Sequence, residues 1–151
     1  MPVKVKRALD EFVEACKEKF GEGLVSVVLF GSYARGNWKR YSDVDLLVVV
    51  RKLPRSVWER DKLLESVTWD IFLKHGEDLQ PILTTESELR EAMKACNPIF
   101  FGILLGYRVI YDPERFFERS LKSLVFPTII KKRPIFVYGG KRWDLEKVVK
   151  T

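Results

Sequence analysis

Two hydrophobic runs, Leu24 to Phe30 and Val44 to Val50, most constrain how this chain can fold. β-branched and large apolar residues dominate both, and the polar stretch between them has room for only one helical turn. We therefore predict two neighbouring strands of one sheet. The second run is nearly continuous in apolar residues, which is typical of a buried strand. Its start nevertheless carries Asp43 and Asp45, and charges at that place need a physical reason.

The two aspartates stand one residue apart, so alternation along a strand places both side chains on the same face. Like charges this close repel each other and raise one carboxyl pKa unless a cation neutralises them. A set of oxygen ligands favours Mg²⁺ or Mn²⁺ over zinc. We therefore predict that Asp43 and Asp45 bind a divalent metal ion.

A Gly-Ser pair, Gly31 and Ser32, ends the first strand and begins the turn. Glycine lets a phosphate approach the backbone, and a helix N-terminus there offers free N–H groups. The pattern predicts a nucleotide site in which metal held by the aspartates bridges phosphates bound at this turn. Arg35, Lys39 or Arg40 is then placed to contact the remaining phosphate charge.

The rest of the chain alternates between helical and strand patterns. We predict helices over Val3 to Phe20, Pro54 to about Lys74, a segment after the N-cap Thr85, and Asp112 to about Leu124, with further strands over Asp78 to Thr84 and Arg108 to Tyr111. Pro81 inside the third strand predicts a sheet edge or a bulge, because proline cannot donate to an interior ladder. The expected fold is α+β: a small mixed sheet flanked by helices in a sandwich-like arrangement.

Composition limits the class of partner. The 151 residues suit one domain, and 27 basic against 21 acidic residues give a net charge of +6. This excess favours an anionic partner, such as a nucleoside triphosphate, nucleic acid or an acidic protein face, without choosing among them. The charged N-terminus lacks a signal-peptide pattern and no apolar run is long enough to span a bilayer, so we expect a cytoplasmic protein.

Three segments leave alternatives open. Residues 125–151 are basic and interrupted by proline and glycine, so they form either a tail packed on the domain or an arm that contacts a partner. Trp38 lies among basic residues and either stacks on a base or partner or simply packs. The apolar segment Pro98 to Leu105 is either a buried core helix or an exposed interface.

The sequence GSYARGNWKRYSDVD, residues 31–45, resembles the signature of the DNA polymerase β-like nucleotidyltransferases, and in particular their minimal nucleotidyltransferase branch. The resemblance implies the polymerase-β-like fold, with residues 1–124 as the minimal nucleotidyltransferase domain. It also implies transfer of a nucleoside monophosphate from a triphosphate, with two metal ions held by acids and pyrophosphate leaving. By position, Gly31 and Ser32 bind the triphosphate, Arg35 contacts phosphate, and the catalytic residues Asp43 and Asp45 hold the metals.

The family pattern also expects a third acid on a later strand, as a base or a metal ligand. That place falls on Gln80, an amide that cannot take a proton, while Asp78 lies two residues earlier and shares its face if the strand is regular. A bulge at Pro81 would shift either residue. The chain therefore uses Asp78 as the third metal site residue, works with two acids, or binds nucleotide without turnover.

Members of this branch are often paired with a HEPN-type protein as toxin and antitoxin, and the transferase modifies that partner with AMP. The resemblance thus implies Mg²⁺- or Mn²⁺-dependent transfer of AMP from ATP to a protein acceptor, most simply a HEPN-type partner. A small molecule or an RNA end is an alternative acceptor, because the fold does not select one. A non-catalytic, antitoxin-like binding protein is a third alternative; nucleic acid is less favoured as a partner, and a membrane is not expected.

Overall fold

The computed structural model describes residues 1–95, 97–132, 135–138 and 141–144. The helices are α1 (Val3–Phe20), α2 (Ser32–Arg35), α3 (Val57–Leu63), α4 (Glu65–His75), α5 (Glu86–Lys94), α6 (Pro98–Leu104), α7 (Phe116–Ser120) and α8 (Phe126–Lys132). A 3₁₀ turn occupies Gly21–Gly23 and a π-helical turn occupies Leu121–Val125. The strands are β1 (Leu24–Phe30), β2 (Val44–Val50), β3 (Leu79–Thr85), β4 (Arg108–Tyr111), β5 (Ile135–Tyr138) and β6 (Lys141–Asp144).

One mixed sheet organises the fold, with strand order β3-β2-β1-β4. β1 is antiparallel to β2 and β4, whereas β2 and β3 are parallel and are joined by the α3–α4 crossover. The small mixed sheet flanked by helices that the sequence predicts is therefore confirmed. Alternate residues of β2 are buried in the cores on the two faces of the sheet, which explains its nearly continuous apolar sequence. The strands β5 and β6 form a separate antiparallel pair that the sequence did not predict.

Each face of the sheet packs against its own set of helices. On one face, α1 and α4 cover alternate strand residues and bury Phe12 and Ile71. On the other face, the α5–α8 region buries Met93, Phe117 and Ile129. The helices thus sandwich the sheet and leave the β3 side of it as an edge.

The apolar segment after Asn97 belongs to this second core. Phe100, Ile103 and Leu104 of α6 are buried there, whereas the side chains of Ile99 and Phe101 lie outside the described residues. Of the two alternatives for this segment, a buried core helix or an exposed interface, the first holds for Phe100, Ile103 and Leu104. No helix in the described part of the chain is long and apolar enough to cross a membrane.

The single helix predicted from Pro54 to Lys74 is wrong in two respects. Pro54 is expected in its first turn, but the helix begins after Ser56, whose hydroxyl accepts a hydrogen bond from the Glu59 N–H. It is also interrupted at Leu64, where φ is −110° and ψ is 4°. Leu64 is buried in the core while α3 buries none of its residues, so α3 turns out over the surface.

The last predicted helix begins later and continues further than expected. Asp112 caps it: Oδ1 accepts from the Phe116 N–H at 3.0 Å and Oδ2 from the Phe117 N–H at 3.1 Å. Helical residues then continue through the π-helical turn into α8, past residue 124. The division between residues 1–124 and 125–151 stays a prediction, although Val125 and Ile129 are buried with the second core.

Candidate active site

Asp43 immediately precedes β2, and Asp45 is the second residue of this interior strand. Asp45 lies opposite Phe30 of β1 on one side and Gln80 of β3 on the other. Asp45 is half-buried and Asp43 is exposed. The charge of Asp43 acts on the Asp45 carboxyl, so the two groups lie near each other, and their placement on one face stays a prediction. Like-charged carboxylates are thus held at one corner of the sheet.

Gly31 is the residue that brings the first strand close to these acids. Its φ of 76° and ψ of −158° lie in a region that only glycine adopts readily. A Cβ atom there would overlap Asp45 Oδ2 and would lie 3.1 Å from Asp45 Cγ. Glycine is therefore required both by the backbone conformation and by the space beside Asp45.

Ser32 and Arg35 lie in the short helix α2 that follows this glycine. Arg35 N–H donates to the Gly31 carbonyl at 3.0 Å, and its half-buried side chain lies near enough to Asp45 to act on its charge. Gly106, between α6 and β4, packs against Arg35 of this helix. A Cβ on Gly106 would lie 2.7 Å from Arg35 Cγ and 3.3 Å from Arg35 Cα. The sequence analysis missed this second glycine, because only the folded chain shows what it faces.

The third-acid position follows from the register of β2 and β3. The ladder is regular from Val44 opposite Leu79 to Val50 opposite Thr85, so Pro81 introduces no bulge. Gln80 lies directly beside Asp45, and its Nε2 donates to Asp78 Oδ1 at 2.8 Å. The Gln80 amide thus lies beside Asp45 and binds the neighbouring carboxylate of Asp78.

The pKa shifts report how crowded these carboxylates are. Burial, and then the charge of Asp43, raise the pKa of Asp45, while the Arg35 guanidinium partly opposes the rise. Burial raises the pKa of Asp43 as well, followed by the charge of Asp78 and a side-chain hydrogen bond between the two carboxyl groups. Asp43 therefore links Asp45 to Asp78 in one line of interacting acids.

The donor set fits a hard divalent cation that also binds substrate phosphates. In the part of the chain that the structure describes, no three His, Cys, Asp or Glu side chains are grouped closely enough to hold a metal ion by themselves. Mg²⁺ commonly uses only one or two carboxylates, with substrate phosphates and water completing its shell. Two crowded carboxylates with raised pKa values satisfy that requirement, and a cation would relieve their repulsion.

The loop between α2 and β2 borders the acids. Trp38 stacks on Tyr33 with ring centroids 5.6 Å apart and an interplanar angle of 13°, and it is still 37% exposed. Arg40 lies over the ring of Tyr41 at 5.3 Å, and that tyrosine is 84% exposed. Trp38 is therefore packed on one face and open on the other, which allows both of the predicted roles.

Comparison with known proteins decides the family. Residues 9–111 match the nucleotidyltransferase domain family, a span that contains Gly31, Asp43, Asp45 and the strand β3. The chain belongs to the nucleotidyltransferase family. It is also 40% identical over 141 residues to a protein of Methanocaldococcus jannaschii whose assigned name classes it as a protein adenylyltransferase. That alignment covers 93% of this chain and 94% of the relative.

Solved nucleotidyltransferase structures share the fold. One is the spectinomycin adenyltransferase AAD(9) of Enterococcus faecialis with ATP and spectinomycin, with a TM-score of 0.56 at 15% identity over 83% of this chain and 63% of that one. Another is a chain from the complex of the tri-AMPylated Shewanella oneidensis HEPN toxin with MNT antitoxin. It has a TM-score of 0.50 at 11% identity and covers 85% of this chain and 91% of that one. At these identities the likeness shows the fold of the nucleotidyltransferase family alone.

Proposed function

We propose that this nucleotidyltransferase transfers AMP from ATP to a side-chain hydroxyl of a protein acceptor, with a HEPN-type protein as the first candidate. The observation that carries the proposal is the close approach of Gly31 to Asp45, which sets a strand-ending turn against paired carboxylates. The 40% identical relative named as a protein adenylyltransferase supports a protein acceptor, and the complex of an AMPylated HEPN toxin with MNT antitoxin supports the kind of partner.

The triphosphate is assigned to the turn between β1 and α2. Gly31 has no side chain to keep phosphate oxygens away from the backbone. Ser32 offers a hydroxyl donor at the start of α2, and Arg35 offers a guanidinium that is already attracted to this carboxylate corner. Asp43 and Asp45 would hold Mg²⁺ or Mn²⁺, which when bound offsets phosphate charge and the charge that develops on the leaving pyrophosphate.

Asp78 is the residue assigned to the acceptor proton. The acceptor oxygen forms a bond to the α-phosphorus of ATP, the bond from that phosphorus to the β-phosphate oxygen breaks, and pyrophosphate leaves. The hydroxyl proton passes to the Asp78 carboxylate, because Gln80 in the third-acid position has no basic atom for it. The Gln80 amide orients Asp78 by its 2.8 Å hydrogen bond to Oδ1.

The test is incubation of the purified protein with Mg²⁺ and ATP labelled on the α-phosphate, together with a purified HEPN-type protein. Label on the partner that is lost in Asp45→Asn, and retained in the surface control Asp10→Asn, supports the proposal. Tight association of the two proteins without label transfer would instead favour a binding module. Label on a small molecule or an RNA end, with none on protein, would assign a different acceptor.

A further inference from the structure

A groove of about 710 Å³ lies between β3 and the crossover helices α3 and α4. Large apolar side chains that remain in solvent line it: Val57 is 72% exposed, Trp69 59%, Phe72 43% and Ile82 41%. Trp69 and Phe72 also stack on each other, with ring centroids 5.8 Å apart. Apolar side chains gathered along one groove are typical of a surface that binds a partner.

The strand that forms one wall of this groove is an open edge of the sheet. Within the described strands, β3 pairs only with β2. Val44 N–H donates to the Asp78 carbonyl at 2.9 Å, so alternate residues from Asp78 turn their backbone groups toward β2. Leu79, Pro81 and Leu83 therefore turn theirs outward. Because Pro81 faces outward, its missing N–H costs no bond to β2, but it offers an added strand only its carbonyl. The N–H groups of Leu79 and Leu83 and the carbonyls of all three residues remain available to pair with an added strand.

The charge of the groove is opposite to that of the whole protein. Asp61, Glu65 and Asp78 line it, whereas the lining arginine, Arg60, is already bound to Glu88 at 2.7 Å. The chain as a whole carries a net charge of +6. A basic segment is therefore attracted to the carboxylates that line this groove.

The groove is continuous with the candidate active site. Asp78 and Gln80 line it, and Gln80 lies beside Asp45 in the β2–β3 ladder. A chain lying along β3 thus passes the carboxylate assigned to the acceptor proton. A segment bound in this place presents its side chains to the corner of the sheet where the acids lie.

We propose that the groove binds an extended basic segment of the acceptor protein, which adds to the open edge of β3 and carries the hydroxyl that receives AMP. This inference rests on the proposed function, because it names the surface by which that site selects its acceptor. Main-chain pairing with β3 supplies register, Trp69 and Phe72 contact apolar side chains of the segment, and Asp61 and Glu65 attract its lysines or arginines.

The first test measures binding without any transfer. The probe is a fluorescein-labelled synthetic peptide in which lysine and valine alternate around one tyrosine, and fluorescence anisotropy reports its affinity for the full chain. The same peptide with glutamate for lysine tests charge, and a version N-methylated at alternate residues tests main-chain pairing. The basic peptide is expected to bind most tightly and to lose about tenfold or more with either change, a free-energy difference of ~1.4 kcal/mol per tenfold.

A matched pair of variants on α4 tests the place of binding. Trp69→Ala removes a groove side chain and is expected to weaken the basic peptide about tenfold. Leu73→Ala removes an apolar side chain of similar exposure, 66%, which does not line the groove, and is expected to leave the affinity unchanged. Hydrogen exchange of the β3 amides should also slow when the peptide is bound, because the outward N–H groups become paired.

The outcomes separate this inference from the proposed function. Equal affinity of the basic and acidic peptides, no peptide binding, or equal effects of Trp69→Ala and Leu73→Ala would overturn the groove assignment. So would a dimer that Trp69→Ala dissociates, since a second copy would then be the occupant. If Asp45→Asn still binds the peptide in the groove and the wild-type protein transfers no label, the groove assignment stands. Only the proposed AMP transfer is then contradicted. Transfer to the HEPN-type protein with an unchanged KM in Trp69→Ala would sink only the groove.

Discussion

Gly31 and Asp45 lie so close that a side chain on Gly31 would occupy the space of the Asp45 carboxylate: a Cβ atom at residue 31 would overlap Asp45 Oδ2. The two residues lie on neighbouring strands, where Phe30 pairs with Asp45 and Gly31 is the next residue along. The turn assigned to phosphate and the carboxylate assigned to metal are thereby fixed relative to each other by the sheet itself. Small changes at either residue should therefore affect both.

Gly31→Ala should destabilise the protein and abolish metal-dependent triphosphate binding. The added methyl group pushes Asp45 away, and the conformation at φ 76° and ψ −158° costs alanine of order 1–3 kcal/mol before any clash. Thermal unfolding and titration with a fluorescent ATP analogue measure the two effects. Gly36→Ala is the matched control, because Gly36 also has positive φ but nothing within 4 Å of its added Cβ. Equal losses in both variants would mean that the contact with Asp45 is unimportant.

The double variant Asp43→Asn/Asp45→Asn should unfold at a higher temperature than the parent at pH 7 in metal-free buffer, and should no longer bind triphosphate with Mg²⁺. Burial and then a neighbouring carboxylate raise both carboxyl pKa values in the folded state above the ordinary value of 3.8. Ionisation therefore disfavours the fold increasingly as pH rises from about 3.8 to the folded-state pKa values, the penalty is complete above them, and it is absent well below pH 3.8, where both states are protonated.

The stability gain of this double variant should accordingly shrink as the pH falls toward 3.8. Asp10→Asn, on the exposed side of α1, controls for removing negative charge from the protein. A gain that is independent of pH, or matched by Asp10→Asn, would contradict the assigned repulsion.

Asp78→Asn should lower the rate of AMP transfer by about 10²–10⁴, the usual contribution of a general base, while ATP affinity stays nearly unchanged. Gln80→Ala should lower the rate less, because it removes only the 2.8 Å hydrogen bond that orients Asp78. Rate against pH, with ATP affinity measured separately, checks the assignment. If Asp78→Asn keeps the parent's rate and its dependence on pH, Asp78 is not the base.

Gly106→Ala should weaken triphosphate binding without any direct contact with ATP. Its added Cβ would lie 2.7 Å from Arg35 Cγ and 3.3 Å from Arg35 Cα, so α2 must move. Gly102→Ala in α6 has open space around the added methyl and should stabilise the helix by about 0.5–1 kcal/mol. Binding and unfolding measured on both variants provide the comparison; parental ATP affinity in Gly106→Ala would show that α2 tolerates the shift.

Ser26→Ala should destabilise the protein by about 1–3 kcal/mol, because it removes a buried donor to a capping carboxylate. Ser26 is fully buried, and its hydroxyl donates to Asp112 Oδ1 at 2.7 Å while Asp112 caps α7. Ser123→Ala removes an exposed hydroxyl that bonds to the Arg119 carbonyl, and should change stability by less than about 0.5 kcal/mol. Urea unfolding of both variants tests the difference, and similar values would mean that the Ser26 bond contributes little.

The strands around the acids could be predicted from sequence because their evidence is local. Apolar runs bounded by glycine and polar residues predict β1 and β2, which the structure contains, and alternation predicts that Asp43 and Asp45 share one face. The same reasoning aligns Gln80 with the family's third-acid position; the register sets Gln80 beside Asp45, and the alignment itself stays a prediction. What the acids bind, and which roles they have, stays a prediction.

Other features depend on contacts between distant segments and could not be read from local pattern. Gly106 is an ordinary helix-ending glycine in the sequence, and only the fold sets it against Arg35. The predicted long helix is interrupted at Leu64, whose side chain is buried in the core. The late start of α7 follows from capping by Asp112, whose carboxylate also accepts a hydrogen bond from Ser26 of β1. The groove likewise requires knowing that β3 is an edge.

The parallel pairing of β2 and β3 forces the chain to leave the sheet between them, and α3 and α4 are the part that does so. An insertion, deletion or substitution in this crossover repositions Trp69 and Phe72 without altering the hydrogen-bonded register that fixes Asp45 beside Gln80. During divergence, acceptor preference can therefore drift through one surface-exposed segment while phosphate chemistry is inherited intact. For an engineer, the same segment is the natural place to randomise when a new acceptor is wanted.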